Sequence, residues 1–403
     1  MKEIQGGVCA AKGFMAAGVY AGIRKNKTKK DLALIVSDTL CDAACIYTKN
    51  LVKGAPLLVT KKNLENGLAQ AIICNSGNAN TCNANGIEIA ESMCELVEKF
   101  AGISRENVIV ASTGVIGQPL DIAPIKNAME ALVKGLGNNS RDANTAIMTT
   151  DLTEKEIAVE FELGGTVCRL GGIAKGSGMI HPDMATMLVF LTTDVGISSE
   201  LLKEALASDA AKSFNMLSID GDTSTNDMVA ILANGKAKNA RIECKNADYQ
   251  IFCKALNLAT TTLCKKIAKD GEGATKLIEC VVSNAKTSDC AKTVAKSVIT
   301  SSLLKAAMFG ADANWGRVLC AVGYSGADVD VSKVDVDFVS KAGQVAVCRA
   351  GAGIPFSEEH AKAVLKDDEI TIQISLNSGE SSATAWGCDL TYDYVKINGD
   401  YRT

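Results

Sequence analysis

The sequence has few of the side chains on which hydrolytic and metal-dependent sites usually rest. Only two histidines, His181 and His360, occur among 403 residues. A three-histidine metal site is therefore excluded, and a Ser-His-Asp or Cys-His site would have to use one of the two. His360 lies in FSEEHAKAVLK, a pattern typical of an exposed helix. His181 directly precedes Pro182, so a loop-shaping role and a chemical role are both open for it.

Long apolar runs and an excess of positive charge are also missing. No uninterrupted apolar stretch is long enough to span a bilayer, and the segment MKEIQGGVCAAKGF lacks the apolar core of a signal peptide. The formal net charge is −4, with lysine and arginine scattered among acidic residues, so no basic stripe could neutralise a row of phosphates. We expect a cytoplasmic protein that binds neither membranes nor nucleic acid.

Cysteine is abundant, but its spacing argues against the usual roles of a cysteine-rich chain. The fifteen cysteines never form a Cys-x-x-Cys pair, which disfavours zinc and a disulfide framework. Several lie in apolar stretches, for example Cys74 in AIICNSG and Cys320 in RVLCAVG, where a reduced thiol packs as a small hydrophobic side chain. We expect reduced core thiols, with one reactive cysteine among them as the alternative.

What the sequence does contain is typical of a large enzyme with an aliphatic core. Apolar residues make up 47% of the chain and aromatic residues 4%, with 35 glycines for tight turns. A single hydrophobic core is unusual at this length, so two domains or two interleaved layers are expected. Runs rich in Val, Ile and Leu predict strands at 32–38, 56–62, 70–77, 108–113, 186–194 and 369–376.

Apolar residues at helical spacing predict helices between several of these strands. In GIEIAESMCELVEKF they form one apolar face over 86–100. Further helices are predicted at 200–212, 249–268 and 288–308. The chain is therefore a mixed α and β protein, and no linker or repeat marks a domain boundary.

The stretch KGSGMIHPDMATMLVFLTTD, residues 175–194, places Ala185 and Thr186 at the start of a predicted buried strand. A threonine hydroxyl is a weak nucleophile that needs a base, and an N-terminal threonine can use its own α-amino group. Thr186 would gain such an amine if it attacked the Ala185 carbonyl and cut the chain there. This chemistry needs no histidine. The alternative is that Thr186 is an ordinary β-branched strand residue.

A second candidate lies in ASTGVIGQPL, residues 111–120, where a predicted strand ends in Thr113 and Gly114. The Thr113 hydroxyl and the Gly114 N–H could both point at a developing oxyanion, although Thr-Gly pairs are also common turns. Other polar clusters are NSGNAN, MTTD, DGDTSTND, DGEGATK and DANWGR. They lack the EF-hand spacing and the G-x-x-x-x-G-K-[ST] spacing, so we favour turns or ligand hydrogen bonds over calcium or nucleotide sites.

Seven stretches, taken together, resemble one family, the bifunctional glutamate N-acetyltransferase/ornithine acetyltransferase (ArgJ) family of arginine biosynthesis. They are NSGNAN, STGVIG, KGSGMIHPDMATML, DGDTSTND, GEGATK, DANWGR and VKINGDYRT, in the family's order and across nearly the whole chain. The resemblance implies an α+β fold with mixed sheets in an αββα layered arrangement of the DmpA/ArgJ kind. It also implies self-cleavage between Ala185 and Thr186 into an α chain, 1–185, and a β chain, 186–403.

The same resemblance implies roles for individual residues. Thr186 matches the family's nucleophile, and Thr113 with Gly114 match its oxyanion hole. The residues that match substrate-binding positions are Thr149, Lys175, Thr186, Glu272, Asn398 and Thr403. A substrate with a carboxylate and an ammonium calls for both charges in its site, which Lys175 and Glu272 supply.

The activity implied is ping-pong acetyl transfer without metal or bound cofactor. N-acetylornithine acetylates Thr186 and ornithine leaves, then glutamate departs as N-acetylglutamate, and acetyl-CoA as a further donor stays open. The family also implies intertwined chains assembled as two α and two β. The alternatives are an N-terminal-nucleophile amidohydrolase or aminopeptidase of related fold, in which water takes the acyl group, and a metabolite-binding protein that never cleaves.

Overall fold

The structure is a computed structural model that describes residues 1–24, 26, 28–181 and 187–399. The chain divides into two compact units. The first comprises Met1–Gly176, Pro182–Phe214 and Thr223–Leu263, and the second comprises Ser177–His181, Asn215–Asp222 and Cys264–Thr403. Each unit contains one mixed β-sheet with helices packed on it, which agrees with the expected α+β class.

The first unit is built on a sheet with nine strands in the described part of the chain. Their order is β1-β6-β7-β8-β9-β3-β4-β5, with β2 paired to β3, and only β4–β5 and β8–β9 are parallel. The strands are β1 (Lys2–Ile4), β2 (Phe14–Val19), β3 (Leu32–Tyr47), β4 (Leu68–Asn78), β5 (Val108–Val115), β6 (Lys155–Leu163), β7 (Thr166–Lys175), β8 (Leu188–Thr193) and β9 (Met228–Ala233).

Strand β3 joins the two halves of this sheet. Its first part pairs with β2 and with β4, and its last part, from Asp42 to Tyr47, pairs with β9. The register with β4 is irregular between Val36 and Cys41, as at a β-bulge that bends a strand. One strand of 16 residues therefore connects β4 and β5 to the pair β8–β9.

Side chains on the two faces of this sheet form two separate cores. On β3, Leu32 and Leu34 pack into one core and Ala33 and Ile35 into the other, which is the period-two alternation of a strand. Every residue of β8 and β9 is buried, as expected for a parallel pair covered on both faces. The helices of this unit are α1 (Ala55–Asn63), α2 (Gly86–Ala101), α3 (Ile122–Lys134), α4 (Ser140–Ile147), α5 (Ser199–Ala210) and most of α6 (Ala247–Lys269).

The second unit has a six-stranded sheet within the described residues, in the order β13-β12-β11-β14-β10-β15. Only β10 and β14 are parallel. Its strands are β10 (Leu277–Ala285), β11 (Asp335–Ser340), β12 (Gly343–Arg349), β13 (Ala352–Gly353), β14 (Glu369–Ser375) and β15 (Ser381–Cys388). Its helices are α7 (Ser288–Thr300), α8 (Ser302–Phe309), α9 (Trp315–Gly323), α10 (Glu358–Leu365) and α11 (Tyr392–Asn398). Helix α7 packs on β10 and β15.

One predicted strand is wrong, because PLLVTKK at 56–62 lies in helix α1. A short apolar run does not distinguish a strand from a buried helix turn. Pro56 lies in the first turn of the helix, where its missing N–H costs no hydrogen bond. The side chain of Thr60 then bonds to both the N–H and the carbonyl of Val110 in β5, each at 2.8 Å. The other predicted strands correspond to β3, β4, β5, β8 and β14.

The helix predicted at 288–308 is two helices, α7 and α8, divided at Ser301. The Ser301 side chain accepts the Leu304 N–H, so it caps the second helix while ending the first. The other predicted helices correspond to α2, α5 and α6. No helix in the described part of the chain combines the length and apolar character that a membrane crossing requires.

No disulfide joins the fifteen cysteines, all of which lie in the described residues. Cys74 is buried, and burial raises the pKa of its thiol, so this cysteine is unreactive. Cys320 is exposed, so its prediction as a core thiol is wrong. The run RVLCAVG forms helix α9, which turns Val318, Ala321 and Val322 inward and leaves Cys320 on the other face.

Candidate functional site

The candidate site of the first unit begins where strands β4 and β5 end side by side. The two strands are parallel, and in their register Ser76 pairs with Thr113 and Gly77 with Gly114. The carboxyl ends of parallel strands lie at the same edge of a sheet, where ligands bind in many α/β proteins. This pairing brings the predicted oxyanion residues, which are half-buried, against the motif NSGNAN.

A glycine at position 114 is required by the close approach of the two strand ends. Its φ is +127°, and a Cβ there would lie 2.4 Å from the carbonyl carbon of Gly77 and 2.6 Å from the nitrogen of Asn78. Both atoms belong to the backbone, so neither could move aside without shifting the sheet. The backbone N–H of Gly114 is thereby held in one place, which a preorganised oxyanion donor requires.

A buried amide network stabilises this edge of the sheet. Asn226 Nδ2 donates to the carbonyls of Ala79 and Ser112 at 2.6 and 3.0 Å. Its Oδ1 accepts from the hydroxyls of Thr81 and Thr225 at 2.5 and 2.7 Å. Because Asn226 lies just before β9, the network ties the motif DGDTSTND to NSGNAN and to the end of β5.

Asp151, the last residue of MTTD, is a buried carboxylate around which two predicted substrate-binding residues meet. Its Oδ1 accepts from Lys155 Nζ and from the Gly176 N–H, both at 2.7 Å. Its Oδ2 accepts from the Thr149 N–H at 2.9 Å and lies 4.0 Å from Lys175 Nζ. Asp151 therefore fixes the backbone at Thr149 and orients the ammonium of Lys175.

The charges around Asp151 leave a positive centre. Burial disfavours ionisation of Asp151, but the charges of Lys175 and Lys155 outweigh it and hold the pKa of this carboxyl far below its usual value. Two ammonium groups around one carboxylate give a net positive charge. Lys175 is 8% exposed, so its ammonium can reach a ligand while most of its stem is packed. Such a centre can bind a substrate carboxylate.

Helix α4 connects this positive centre to the strand ends that carry the oxyanion residues. Ser76 Oγ donates to the Ala146 carbonyl at 2.5 Å, at one end of the connection. At the other end of the connection, Asn144 Nδ2 donates to the Ala174 carbonyl at 2.9 Å, and Asn144 Oδ1 accepts the Lys155 N–H at 2.7 Å. The first unit therefore brings into one region the predicted residues Thr113, Gly114, Thr149 and Lys175.

In the second unit, the predicted substrate-binding residues Glu272 and Asn398 are in direct contact. Asn398 Nδ2 donates to Glu272 Oε2 at 2.7 Å. Gly178 leaves the space for this carboxylate, since a Cβ there would lie 2.3 Å from the carboxyl carbon of Glu272. The motifs KGSG, GEGATK and VKINGDYRT thus meet at one carboxylate, which can bind a substrate ammonium.

The loop that carries Glu272 is fixed on both sides. Asp389 accepts the Thr275 N–H at 2.8 Å. Ser177 Oγ donates to the Asp270 carbonyl at 2.6 Å, and the Ser177 carbonyl accepts the Glu272 N–H at 2.9 Å. The carboxylate is therefore presented from a rigid turn rather than from a free loop.

The segment before the predicted cleavage point is held by the motif DGD. The Asp220 carboxylate accepts the N–H groups of Met179 and Ile180 at 2.6 and 2.8 Å. His181 Nδ1 lies 3.0 Å from Ser218 Oγ. These contacts give His181 a place in shaping the segment, which was one of its two predicted roles.

Three predicted site residues, Ala185, Thr186 and Thr403, lie outside the described residues. On the far side of the cleavage point the description resumes at Met187, whose carbonyl accepts the Met228 N–H at 2.9 Å. In the described ranges no three His, Cys, Asp or Glu side chains are grouped as metal ligands would be.

Sequence reasoning missed the residues that orient the site, in particular Asp151, Asp220 and Asn226. Their motifs were noted only as turns or ligand-binding clusters. The available signal was the repeated placement of acidic and amide residues directly after apolar runs. That signal does not say which groups each side chain binds, because three partners of Asn226, namely Thr81, Ala79 and Ser112, are more than 100 residues away in sequence.

The chain is similar to proteins of one family. A family model described as the ArgJ family matches residues 15–403. The chain is 51% identical over 395 residues to "Arginine biosynthesis bifunctional protein ArgJ 1" of Clostridium acetobutylicum, with 97% of this chain and 96% of the relative covered. It is 48% identical over 405 residues to the ArgJ protein of Caldanaerobacter subterraneus subsp. tengcongensis, with 100% of both covered.

A solved structure also matches. The crystal structure of the arginine biosynthesis bifunctional protein ArgJ from Bacillus halodurans is 45% identical to this chain, with a TM-score of 0.50. The match covers 97% of that solved chain but 52% of this one.

Proposed function

The chain belongs to the ArgJ family, and on that premise we propose that it moves an acetyl group from N-acetylornithine to glutamate through an acetyl-Thr186 intermediate. It is accordingly an acyltransferase of arginine biosynthesis. The observation that carries the proposal is the connection, through helix α4 of the first unit, between the strand end Thr113–Gly114 and the positive centre at Lys175. An oxyanion site near a carboxylate-binding charge suits an N-acetylated amino acid.

The reaction begins with maturation of the chain. The Thr186 hydroxyl attacks the Ala185 carbonyl, the peptide C–N bond breaks, and the nitrogen takes a proton to become the α-amine of Thr186. Water then hydrolyses the ester between Ala185 and Thr186. The products are an α chain, 1–185, and a β chain, 186–403, that remain one catalytic unit.

Acetyl transfer then uses the new amine as the base. The amine takes the hydroxyl proton as the Thr186 oxygen bonds to the acetyl carbon of N-acetylornithine. The acetyl C–N bond breaks and the proton passes to the nitrogen of the departing ornithine. Glutamate attacks the acetyl ester by the reverse steps and leaves as N-acetylglutamate. Thr113 and Gly114 donate to the negative oxygen that forms in each step.

Replacing Thr113 by valine should lower kcat by roughly 100- to 1,000-fold with little change in KM, because removal of one oxyanion donor has an effect of that order. The shapes of threonine and valine are alike, so the strand end should keep its fold. Steady-state kinetics with N-acetylornithine and glutamate measure the effect. Thr113→Ser keeps the hydroxyl and is the control. Equal loss in both variants would mean that the hydroxyl is not the donor.

We propose a charged group of the substrate for each unit by itself. In the first unit Lys175 binds a substrate α-carboxylate, and in the second unit Glu272, with Asn398, binds a substrate side-chain ammonium. Thr149 and Thr403 contribute further substrate contacts, as the family's pattern implies. The buried charge pairs that orient Lys175 and the turn that orients Glu272 support this assignment.

Glu272→Gln should raise the KM for N-acetylornithine roughly 10- to 100-fold, in line with the ~1.5–3 kcal/mol of a hydrogen bond to a charged group. The amide oxygen still accepts from Asn398, so the loop should hold its shape. Initial rates at varied N-acetylornithine concentration test this. N-acetylnorvaline lacks the side-chain ammonium of N-acetylornithine and serves as the control substrate. The parent and the variant should both use it poorly and to the same extent. A variant with unchanged KM would place the ammonium elsewhere.

We also propose the finer features that the family implies for this chain. These are an αββα layered arrangement of the DmpA/ArgJ kind, an assembly of two α and two β chains, and a cytoplasmic location. The half-length match to the solved relative supports the division into two chains, since a cleaved homologue would present chains of about that length.

The experiment that tests the function is product analysis of the purified chain with N-acetylornithine in the presence and absence of glutamate. We expect ornithine and N-acetylglutamate in equal amounts, with turnover that depends on glutamate. If acetate is released at a rate that does not depend on glutamate, the protein is instead an amidohydrolase. No turnover and no cleavage would leave a metabolite-binding protein. Replacing N-acetylornithine by acetyl-CoA in the same assay tests the second donor.

A further inference from the structure

Helix α11 presents two polar side chains, Tyr394 and Asn398, to carboxylates of the second unit, and only Asn398 has a role so far. The two residues are four positions apart, so they lie on the same face of the helix. Asn398 Nδ2 donates to Glu272 Oε2 at 2.7 Å and to the Tyr394 carbonyl at 3.1 Å. The Tyr394 hydroxyl donates to Asp220 Oδ2 at 3.3 Å. Tyr394 therefore belongs to the same hydrogen-bond network as Glu272.

The start of α11 is fixed against the loop that carries Glu272. Thr391 Oγ1 donates to the Gly273 carbonyl at 2.6 Å. A Cβ on Gly273 would lie 2.6 Å from the backbone nitrogen of Tyr394, and the φ of Gly273 is +68°. Only glycine suits such a close approach in that conformation. Tyr394 is thus held beside the proposed ammonium site by its backbone as well as by its side chain.

The network leaves three acceptor atoms open among the described residues. Glu272 is 7% exposed, and its Oε1 has no partner there, although buried carboxylate oxygens are normally paired. The Asn398 amide turns its nitrogen to two acceptors, so its Oδ1 faces away from them. The Tyr394 oxygen uses its proton on Asp220 and can only accept further bonds. A primary ammonium has three N–H donors, which matches this set of acceptors.

We propose that the Tyr394 hydroxyl is the third acceptor for the side-chain ammonium of the substrate, beside Glu272 and Asn398. The inference rests on the function proposed above, in which this site binds such an ammonium. It makes Tyr394 a residue that determines specificity. A primary ammonium satisfies all three acceptors, whereas a methylated nitrogen or a neutral side chain leaves at least one of them unpaired, and unpaired polar groups cost binding energy.

The charges around Tyr394 keep its proton where this role needs it. Burial raises the pKa of this hydroxyl, and the negative charges of Asp220, Glu272 and Asp222 raise it further. The phenol therefore stays neutral, with its proton on the side of Asp220. Within the described residues neither Glu272 nor Asp220 forms an ion pair. The network has no cation of its own, and a substrate ammonium would supply one.

The test compares Tyr394→Phe with the parent on three donors: N-acetylornithine, its δ-N-methyl derivative and N-acetylnorvaline. The KM for N-acetylornithine should rise roughly 10-fold with little change in kcat, the lower end of the effect of losing a hydrogen bond to a charged group. Both proteins should use N-acetylnorvaline to the same extent, since it has no ammonium. The methyl derivative has one N–H fewer, so its KM should exceed that of N-acetylornithine in the parent, and this difference should vanish in Tyr394→Phe.

The same helix contains a matched control. Tyr392 is 84% exposed and packs its ring edge-on against Phe309. Tyr392→Phe also removes one hydroxyl from α11, but it should leave the KM for each of the three donors unchanged.

A second background separates a direct contact from an effect transmitted through Asn398. If Tyr394 binds the ammonium itself, Tyr394→Phe should still raise the KM for N-acetylornithine when it is added to Asn398→Ala. If Tyr394 only orients Asn398, the added substitution should have no effect in that background, and the inference would be wrong.

An unchanged KM for N-acetylornithine in a folded Tyr394→Phe would likewise overturn the inference. If that variant does not fold, the parent decides the matter with the δ-N-methyl derivative. A KM roughly 10-fold above that of N-acetylornithine supports a third acceptor, and an equal KM contradicts it. A parent that transfers no acetyl group, or whose KM does not respond to Glu272→Gln, would instead defeat the proposed function itself.

Discussion

Thr186→Ala should yield a protein that stays a single chain of 42.1 kDa and transfers no acetyl group. The substitution removes the hydroxyl that attacks the Ala185 carbonyl, so neither the cut nor the α-amine is made. The parent should give two fragments of 185 and 218 residues. Intact mass under denaturing conditions separates the two results, and circular dichroism should show that both proteins are folded.

Thr186→Ser is the informative control for this experiment. Serine keeps a hydroxyl at the same position, so it should still cleave, although without the methyl group that restricts the threonine rotamer. The acetylated β-chain peptide, trapped from the parent by adding N-acetylornithine without glutamate, should carry one acetyl group on residue 186. Two fragments from Thr186→Ala would show that another agent makes the cut, and the proposed self-cleavage by the Thr186 hydroxyl would be wrong.

Asp151→Ala should destabilise the protein by ~3–5 kcal/mol, which is the usual cost of removing one partner of a buried ion pair. The side chains of Asp151 and Lys155 are both fully buried, with Oδ1 and Nζ 2.7 Å apart. The N–H groups of Thr149 and Gly176 lose their acceptor as well. Urea unfolding with a check of the m value measures the change.

The chain contains a closely matched control for this prediction. Glu130 and Lys134 have the same sequence spacing as Asp151 and Lys155, and their charged atoms are 2.6 Å apart, but both side chains are at least 70% exposed. Glu130→Ala should therefore leave the urea midpoint unchanged within error. Equal destabilisation by the two substitutions would show that burial is not what makes the Asp151 pair important.

The Asp151 carboxylate also makes the stability of the protein depend on pH. Its pKa in the folded protein is far below the unfolded value of about 3.9. Its contribution is therefore complete above that unfolded value and is lost as the pH falls towards the folded one. The free energy of unfolding of the parent should therefore exceed that of Asp151→Asn by a constant amount above the unfolded value, and this difference should shrink as the pH falls below it. Urea unfolding of both proteins at several pH values measures the difference, and a difference that does not change with pH would contradict the prediction.

Several strands could be predicted from the sequence, and Thr186 could be proposed as a nucleophile, because both inferences depend on local patterns. The apolar runs AIIC in β4 and VIVA in β5 lead directly into the motifs NSGNAN and STGVIG, and the run LVFL forms most of β8. Thr113 and Gly114 could be proposed together because a strand end and a glycine are adjacent in the chain. The identification of Lys175 and Glu272 came from the resemblance to the family rather than from any local pattern.

The contacts that orient the site could not be predicted from local patterns, since they join distant parts of the chain. The chain from Asp151 to Lys175 forms the hairpin of strands β6 and β7, which ends at Lys175 and returns the chain to the same edge. Thr60 looked like part of a strand because the apolar neighbours of a helix that packs on β5 resemble those of a strand. Whether a short apolar segment forms a strand or a helix depends on the surface against which it packs.

The order of strands in the first unit gives the proposed cleavage an order in time. Strand β8 lies between β7 and β9, and β9 lies against β3, so the two strands that follow the proposed cleavage point lie between strands that precede it. During synthesis, Ala185 and Thr186 emerge well before residues 228–233, which complete the partners of β8. If the cut needs Met187 to be held as in the finished sheet, cleavage follows folding, and the fraction of uncut chain in a preparation reports how much of it has not reached the native state.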